Sequence, residues 1–199
     1  MTIEENEKKI AVSNVRIAIM VANESEDIEV LAPYDLWRRA GLIVELVSVE
    51  KKNTIILQSG AKMYCNSIIE RTNLDQFHAI YLPGGRGHTK FLEEKYSSDK
   101  LIKTLRKFAN EQNKWLLAMC ASPSILGILS VLGNSKATAY PGFEKSLGKN
   151  YVDEGVVASG NVITGKSVAY AIEFSLLVIE KLLDKKTRNS VAKEILYVK

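Results

Sequence analysis

One ten-residue stretch, 115–124, restricts the possible folds of this chain more than any other. It reads W-L-L-A-M-C-A-S-P-S, so that five apolar residues lead directly into Cys120. An uninterrupted apolar run is typical of a strand buried on both faces, and Ser122 followed by Pro123 is a helix-start signal. We therefore predict that Cys120 lies where a central strand turns sharply into a helix, with backbone N–H groups directed at its sulfur.

Two interpretations of Cys120 are open at this point. The expected turn resembles a nucleophile elbow, although the glycines of the serine-hydrolase version are absent. Free cysteines are also among the most buried residue types, so a structural thiol is the alternative. The position favours a functional thiol, because the sites of α/β proteins form at the carboxyl ends of parallel strands.

Size and charge exclude several classes of protein. The chain has 199 residues, enough for one domain with a sizeable core, and its 27 basic residues are interspersed with 23 acidic ones. Short lysine clusters in such a background are typical of solvated faces, so we expect no nucleic-acid partner. Two cysteines do not make a disulfide framework, which favours a reducing compartment.

The beginning of the chain reads M-T-I-E-E-N-E-K-K-I and lacks the apolar segment of a secretory signal. No apolar run approaches membrane-spanning length. We therefore expect a cytoplasmic protein without a membrane partner. Residues 1–14 are predicted to be a polar N-terminal extension, and residues 15–199 a single domain.

Short apolar runs alternate with helical patterns along the chain. Strands are predicted at 15–22, 43–49, 79–82 and 115–119, with a weaker candidate at 136–139, a hairpin at 54–57 and 62–65, and a pair at 156–158 and 162–164. Helices are predicted at 28–40, 98–113, 123–132, 167–183 and 187–196, with Gly41 and Gly133 after the first and third. This alternation is typical of an α/β sandwich with a mostly parallel central sheet.

Three stretches are expected to meet at the carboxyl ends of adjacent strands. They are the acidic loop with Glu24, Glu26, Asp27 and Glu29, the Pro83-Gly84-Gly85 turn, and Cys120. Glycine lets the backbone adopt a positive φ and approach a ligand closely, so Gly84 and Gly85 can direct N–H groups at an anion. A simple tight turn after a strand is the alternative.

Five segments carry a resemblance to a known family. They are V-A-N-E-S-E-D-I-E at 21–29, A-P-Y-D-L-W-R-R-A-G at 32–41, Y-L-P-G-G at 81–85, A-M-C-A-S-P at 118–123, and E-F-S-L-L-V-I-E-K-L at 173–182. In their order and spacing they resemble the DJ-1/PfpI superfamily, in its DJ-1-like branch. The resemblance implies a flavodoxin-like three-layer sandwich, similar to the class I glutamine amidotransferases, and a homodimer.

The resemblance also implies roles for individual residues. Cys120 would be the reactive cysteine and Glu29 the carboxylic acid that touches its sulfur, while Gly85 and Ala121, with Gly84 adjoining, would form an oxyanion pocket. Because two adjacent negative charges repel, the pair is expected to share one proton, and a helix N-terminus favours charge on the sulfur. We therefore expect a lowered pKa for Cys120 and a raised pKa for Glu29.

The chain departs from the family pattern near the expected site. The family often has a histidine where this chain has Tyr140, and both histidines, His78 and His88, precede Cys120. A Cys-His-acid triad would have to recruit His88, whereas we expect His88 in a short surface helix and His78 at a strand edge. Lys166 stands at the position of a family arginine, so the substrate preference is open.

Other residues are expected to line the pocket or to lie in a dimer interface. Tyr140 and Arg39 are candidates for the pocket wall, and the helix that carries Arg39 resembles the family's dimer face. Cys65 falls where the family places a dimer-interface cysteine, and an ordinary strand-edge thiol is equally compatible. Trp37 is expected in the core.

The resemblance implies a cofactor-independent glyoxalase or deglycase that acts on methylglyoxal or its adducts, with a small aldehyde or glycated substrate. The alternative is a non-enzymatic oxidative-stress sensor or chaperone that works through oxidation of Cys120. A cysteine peptidase or amidase is less favoured, because no acyl-transfer base is visible. Two separated histidines and two cysteines give no metal-ligand spacing, so we expect neither a metal nor a cofactor.

Overall fold

A parallel sheet lies at the centre of the computed structural model, which describes residues 14–92 and 98–198. The N-terminal extension predicted for 1–14 therefore lies outside the described residues, apart from Asn14. The strands are β1 (Arg16–Val21), β2 (Ile43–Ser48), β3 (Thr54–Ile56), β4 (Lys62–Tyr64), β5 (Ser67–Ile68), β6 (Ala79–Leu82), β7 (Trp115–Met119), β8 (Val156–Ser159) and β9 (Val162–Gly165). The helices are α1 (Asp27–Arg39), α2 (Ser98–Ala109), α3 (Pro123–Ile128), α4 (Ala171–Leu182) and α5 (Lys185–Glu194).

The strand order of the main sheet is β5-β2-β1-β6-β7-β9-β8. Its neighbours pair in parallel except β8 and β9, the predicted pair, which is antiparallel. Strands β3 and β4 form the separate antiparallel hairpin that the sequence predicted. The fold is thus the mostly parallel, flavodoxin-like α/β sandwich.

Both faces of the sheet are covered, and β1 shows why the strands read as continuous apolar runs. Ile17 and Ile19 point into one core while Ala18 and Met20 point into the other, and all four are fully buried. Helices α1, α4 and α5 cover the first face, and α2 and α3 cover the second. This gives three layers.

Trp37 lies in the first core, as expected. It is fully buried, its ring packs edge-on against Tyr81 with centroids 5.3 Å apart, and its Nε1–H donates to the Ser175 carbonyl at 3.2 Å. This contact ties the C-terminal end of α1 to α4.

Helix α3 is shorter than the apolar run predicted. It ends at Ile128, and Ser130 adopts a left-handed φ of 55°. The N–H of Val131 donates to the Leu126 carbonyl and that of Ser130 to the Gly127 carbonyl, the paired bonds of a Schellman motif. The remaining apolar residues pack as a loop, so the prediction that Gly133 closes this helix is wrong.

Helix α2 ends at Ala109, four residues before its predicted end. Two other elements also differ from the predictions. The candidate strand at 136–139 is reduced to one bridge between Ala137 and Tyr151, and the helix predicted from 167 begins with a short 3-10 turn before Ala171. No helix among the described residues is long and apolar enough to cross a membrane.

Candidate active site

Three loops meet at one edge of the sheet, as predicted. Strands β1, β6 and β7 are neighbours and run parallel, so the segments that follow them emerge side by side. These segments carry the start of α1 with Glu29, the Pro83-Gly84-Gly85 turn, and Cys120.

Cys120 occupies a sharp turn between β7 and α3. Its φ is 60°, in the left-handed region that non-glycine residues rarely adopt. Its backbone is held on both sides, because its N–H donates to the Gly165 carbonyl at 2.9 Å and its carbonyl accepts from the N–H of Tyr140 at 2.7 Å. A strained backbone held in this way is common at functional sites, and it agrees with the predicted strand-to-helix turn.

Ser122 serves a different purpose from the helix cap that its position suggested. It directly precedes α3, but its side chain makes no capping hydrogen bond. The Oγ–H donates instead to the Pro83 carbonyl at 2.6 Å, in a fully buried position. This bond connects the Cys120 turn to the glycine turn, since both partners lie in the loops that follow β6 and β7.

Glu29 is fully buried in the first turn of α1. Its Oε2 accepts from the N–H of Gly84 at 2.8 Å, while Oε1 has no hydrogen-bond partner among the described residues. Its own N–H donates to the Glu26 side chain at 2.7 Å, and its carbonyl accepts from the Tyr81 hydroxyl at 2.8 Å. The carboxyl group is therefore held in one position, with one oxygen available to the site.

Gly84 and Gly85 have different roles in the site. A Cβ on Gly84 would lie 2.5 Å from the Cβ of Cys120 and 2.7 Å from Glu29 Oε2, so only glycine fits between them. Gly84 gives its N–H to Glu29, whereas the N–H groups of Gly85 and Ala121 are directed at the Cys120 sulfur. Of the three predicted anion-binding residues, Gly85 and Ala121 therefore have N–H groups at the sulfur and Gly84 does not.

Burial shifts the pKa of both reactive groups upward. Burial, reinforced by the charge of Glu26, raises the pKa of Glu29 to about 7. The hydrogen bond from the N–H of Gly84 acts in the opposite direction but is weaker than the effect of burial. Burial and the negative charge of Glu29 likewise raise the pKa of Cys120 to about 12. The N–H groups of Ala121 and Gly85 lower this pKa, but by less. The predicted rise for Glu29 is thus confirmed.

The predicted lowering of the Cys120 pKa is wrong, because burial, reinforced by charge repulsion from Glu29, outweighs the two N–H donors. Transfer of the thiol proton to Glu29 removes that repulsion and leaves both donors on the sulfur.

A cavity of about 460 Å³ opens onto this pair. Cys120 and Glu29 line it together with Tyr140, as predicted for the pocket wall. Arg39 does not line it, because it lies at the other end of α1, ten residues after Glu29 or about 15 Å along the axis. There it forms ion pairs with Asp35 and Glu194, so its assignment to the pocket wall is wrong.

His88 reaches the cavity as well, although the sequence favoured a surface position. It does lie in a short 3-10 helix, 86–92, but it is half-buried and lines the same cavity as Cys120. The signal that could have found it is its spacing, since three residues of such a helix make one turn and return the chain to Gly85. His78 lies outside, where its Nδ1 accepts from the N–H of Arg16 at 3.0 Å.

The other acidic residues of the first loop are used in different ways. Glu26 caps α1 and lines the cavity, while Asp27 accepts from the N–H of Ser59 at 3.0 Å. Glu24 lies 3.9 Å from the guanidinium of Arg86, which also lines the cavity. Only Glu29 among these four acids is buried.

Two further residues lie away from the cavity. Lys166 pairs with Asp153, while its neighbours Ser167 and Val168 form part of the cavity wall. Cys65 directly follows β4 and is only 4% exposed, and burial raises its pKa to about 12. Within the described ranges, no group of three or more His, Cys, Asp and Glu side chains is placed to hold a metal ion.

Comparison with known proteins identifies the family. The model of the DJ-1/PfpI family matches residues 15–181. The chain belongs to the DJ-1/PfpI family. A deglycase of Pyrococcus horikoshii is 30% identical over 155 residues, which cover 76% of this chain and 90% of the relative. A glutathione-independent glyoxalase DJ-1 of Schizosaccharomyces pombe is 29% identical over 191 residues, covering 91% and 98%.

Solved structures of the DJ-1/PfpI family agree with the fold. The oxidized DJ-1 of Toxoplasma gondii superposes with a TM-score of 0.84 at 28% identity, covering 93% of this chain and all of that one. The sheet order and the flanking helices described above are therefore those of a DJ-1 fold.

Proposed function

We propose that this DJ-1/PfpI protein is a cofactor-independent glyoxalase or deglycase that acts on methylglyoxal or its adducts through Cys120 and Glu29. The observation that carries the proposal is a nucleophilic sulfur beside a buried carboxylic acid in one small cavity. A carboxyl group with a pKa of about 7 can both give and take a proton near neutrality.

The first step forms a carbon–sulfur bond. The thiol proton of Cys120 passes to Glu29, and the thiolate adds to the aldehyde carbon of methylglyoxal. The aldehyde oxygen gains the negative charge, which the N–H groups of Gly85 and Ala121 stabilise. Glu29 protonates that oxygen, giving a hemithioacetal and an ionised carboxylate.

The second step moves a hydrogen between the two adjacent carbons. The carboxylate of Glu29 removes the proton from the former aldehyde carbon, and the ketone oxygen takes the negative charge of the resulting enediolate. Glu29 gives its proton to this oxygen, which forms the enediol. It then removes the proton of the other hydroxyl group and delivers it to the neighbouring carbon. The product is a thioester of a 2-hydroxy acid on Cys120, which water hydrolyses to lactate and the free thiol.

The names of two relatives support this choice, because one is called a deglycase and the other a glutathione-independent glyoxalase. The test is D-lactate production from methylglyoxal by the wild type, Cys120→Ser and Glu29→Gln. We expect turnover in the wild type and its loss in both variants. Lactate formation that does not depend on Cys120 would refute the proposal.

A redox sensor is the second candidate, favoured by the half-buried sulfur at the cavity and its two N–H donors. Hydrogen peroxide would oxidise the Cys120 thiolate first to a sulfenic and then to a sulfinic acid. The sulfinate oxygens would accept hydrogen bonds from a protonated Glu29 and from the N–H groups of Gly85 and Ala121. A mass gain of two oxygens on Cys120 at mild peroxide concentrations, absent in Cys120→Ser, would support this function.

We also propose that the chain forms a homodimer through the exposed side of α1 and the β3–β4 hairpin. Four apolar side chains there are exposed in the single chain: Ile28 by 53%, Leu31 by 47%, Ile56 by 47% and Tyr64 by 74%. The loop of the hairpin lies beside the start of α1, because the N–H of Ser59 donates to Asp27, and exposed apolar side chains are a common feature of protein interfaces. A second copy of the same surface would cover these side chains in a two-fold arrangement.

A further inference from the structure

The side chain of His88 is held in one orientation at the cavity. Its Nδ1 lies 2.9 Å from the Gly85 carbonyl oxygen, and its ring packs edge-on against Phe143 with centroids 5.1 Å apart and an angle of 88°. A carbonyl oxygen can only accept, so Nδ1 carries the proton. In the neutral ring Nε2 is then an acceptor, which is the tautomer that a general base requires.

The proposed reaction needs such a base at its last step. After the hydrogen transfer, an acyl group remains on Cys120 and water must be activated to remove it. Glu29 is buried and held by Gly84, with its free oxygen at the sulfur. The Glu26 carboxylate accepts the N–H of Glu29 at the start of α1. Both carboxylates line the cavity too, but Glu26 caps α1 and Glu29 is bound to Gly84, whereas Nε2 of His88 has no hydrogen-bond partner among the described residues.

We propose that His88 is the general base that hydrolyses acyl groups from Cys120. Its Nε2 takes a proton from water while the water oxygen bonds to the acyl carbon. The N–H groups of Gly85 and Ala121 hold the resulting oxyanion. The carbon–sulfur bond then breaks, the sulfur leaves as a thiolate, and the proton returns from His88 to the sulfur. The products are a carboxylic acid and a free thiol, and no further reactant is needed.

The substrate class follows from the cavity. It is a small acyl group in thioester linkage to Cys120, and activated esters of small acids should therefore also be hydrolysed. That the natural acyl group is a 2-hydroxyacyl rests on the proposed glyoxalase function, whereas the role of His88 in removing an acyl group does not.

The test uses p-nitrophenyl acetate, which acetylates thiolates and releases p-nitrophenol. His88→Asn is the informative variant, because the asparagine amide can still donate to the Gly85 carbonyl while Nε2 is lost. His78→Asn is the matched control, since His78 lies outside the cavity. We expect similar first-turnover release of p-nitrophenol from all three proteins. Acetyl-Cys120, followed by intact mass, should persist about 100-fold longer in His88→Asn than in the other two.

A second variant separates chemistry from structure. In His88→Ala, added imidazole should restore the rate at which acetyl-Cys120 is hydrolysed, because imidazole can act as the missing base in the space left by the side chain. Equal rates of acetyl loss in the wild type and His88→Asn would overturn the proposal, as would the absence of any Cys120-dependent release of p-nitrophenol.

The two proposals can fail independently. If acetyl loss depends on His88 but methylglyoxal gives no lactate, the glyoxalase function fails and the role of His88 stands. If the wild type forms lactate and acetyl loss does not depend on His88, the proposed role of His88 fails and the glyoxalase function stands.

Discussion

Glu29 Oε2 accepts a 2.8 Å hydrogen bond from the backbone N–H of Gly84, a residue 55 positions further along the chain. This bond fixes the acid against the turn after β6, and the turn itself is tied to the Cys120 loop through Ser122. The distance between carboxyl and sulfur is thus set by backbone groups at the ends of neighbouring strands.

Glu29→Gln should make stability less dependent on pH. The pKa of the buried carboxyl is raised from 4.5 to about 7, so the stability that it lends the fold is fully present below 4.5 and is lost as pH rises through 7. Glutamine can still accept from Gly84 but does not ionise. Relative to the wild type, the variant should gain about 3 kcal/mol in the free energy of unfolding between pH 4.5 and pH 8.

Urea denaturation at several pH values measures this difference. The exposed Glu154→Gln controls for the loss of one carboxyl group. A difference between Glu29→Gln and the wild type that stays constant with pH would contradict the assignment of a buried, titrating acid.

Gly84→Ala should abolish Cys120-dependent turnover. The added Cβ would lie 2.5 Å from the Cβ of Cys120 and 2.7 Å from Glu29 Oε2, so the sulfur and the acid must move apart. Such overpacking costs about 1–3 kcal/mol of stability. Lactate formation and thermal unfolding measure the two effects. Gly133→Ala is strained by the positive φ of 55° at that position, but its methyl group meets nothing within 4 Å, so this variant should retain turnover. A Gly84→Ala variant with wild-type activity would disprove the close packing.

Ser122→Ala should lower both stability and turnover. It leaves the buried Pro83 carbonyl without its 2.6 Å donor, at a cost of about 1–3 kcal/mol, and it releases the glycine turn from the Cys120 loop. Ser124→Ala is the control, because the Oγ–H of Ser124 donates to the Ala121 carbonyl within the same segment. Calorimetry and the D-lactate assay compare the two. Equal losses of turnover in both variants would argue against a specific role for the bond to Pro83.

Leu31→Arg should convert the proposed dimer into a monomer. The side chain is 47% exposed on α1, and a charge there cannot be buried against a second copy without a partner. Ile128→Arg replaces another exposed apolar residue, 58% exposed at the end of α3, and should leave the dimer intact. Size-exclusion chromatography with light scattering gives the mass of each. A wild type that runs as a monomer would refute the proposed homodimer.

Much of the fold could be predicted because the sequence patterns that indicate strands and helices are local. The apolar runs of β1 and β7 identify central strands directly, since a strand buried on both faces needs apolar side chains at every position. The meeting of Glu29, the glycine turn and Cys120 followed from the rule that parallel strands end at one edge. Helix α3 was predicted too long, because the apolar run continues to Leu132 while the helix ends at Ile128, before the left-handed turn at Ser130.

The sequence by itself therefore determined the central strands, the edge at which the site forms, and the meeting of Glu29, the glycine turn and Cys120 there. Only the tertiary structure decided what each polar group does. Ser122 donates a hydrogen bond to Pro83 and does not cap its helix, and Gly84 donates its N–H to Glu29 and not to the sulfur. His88 lines the cavity, which Arg39 does not reach. The physical reason is that apolar periodicity records which face is buried, whereas hydrogen-bond partners and pKa values depend on distances of a few ångströms between loops far apart in the chain.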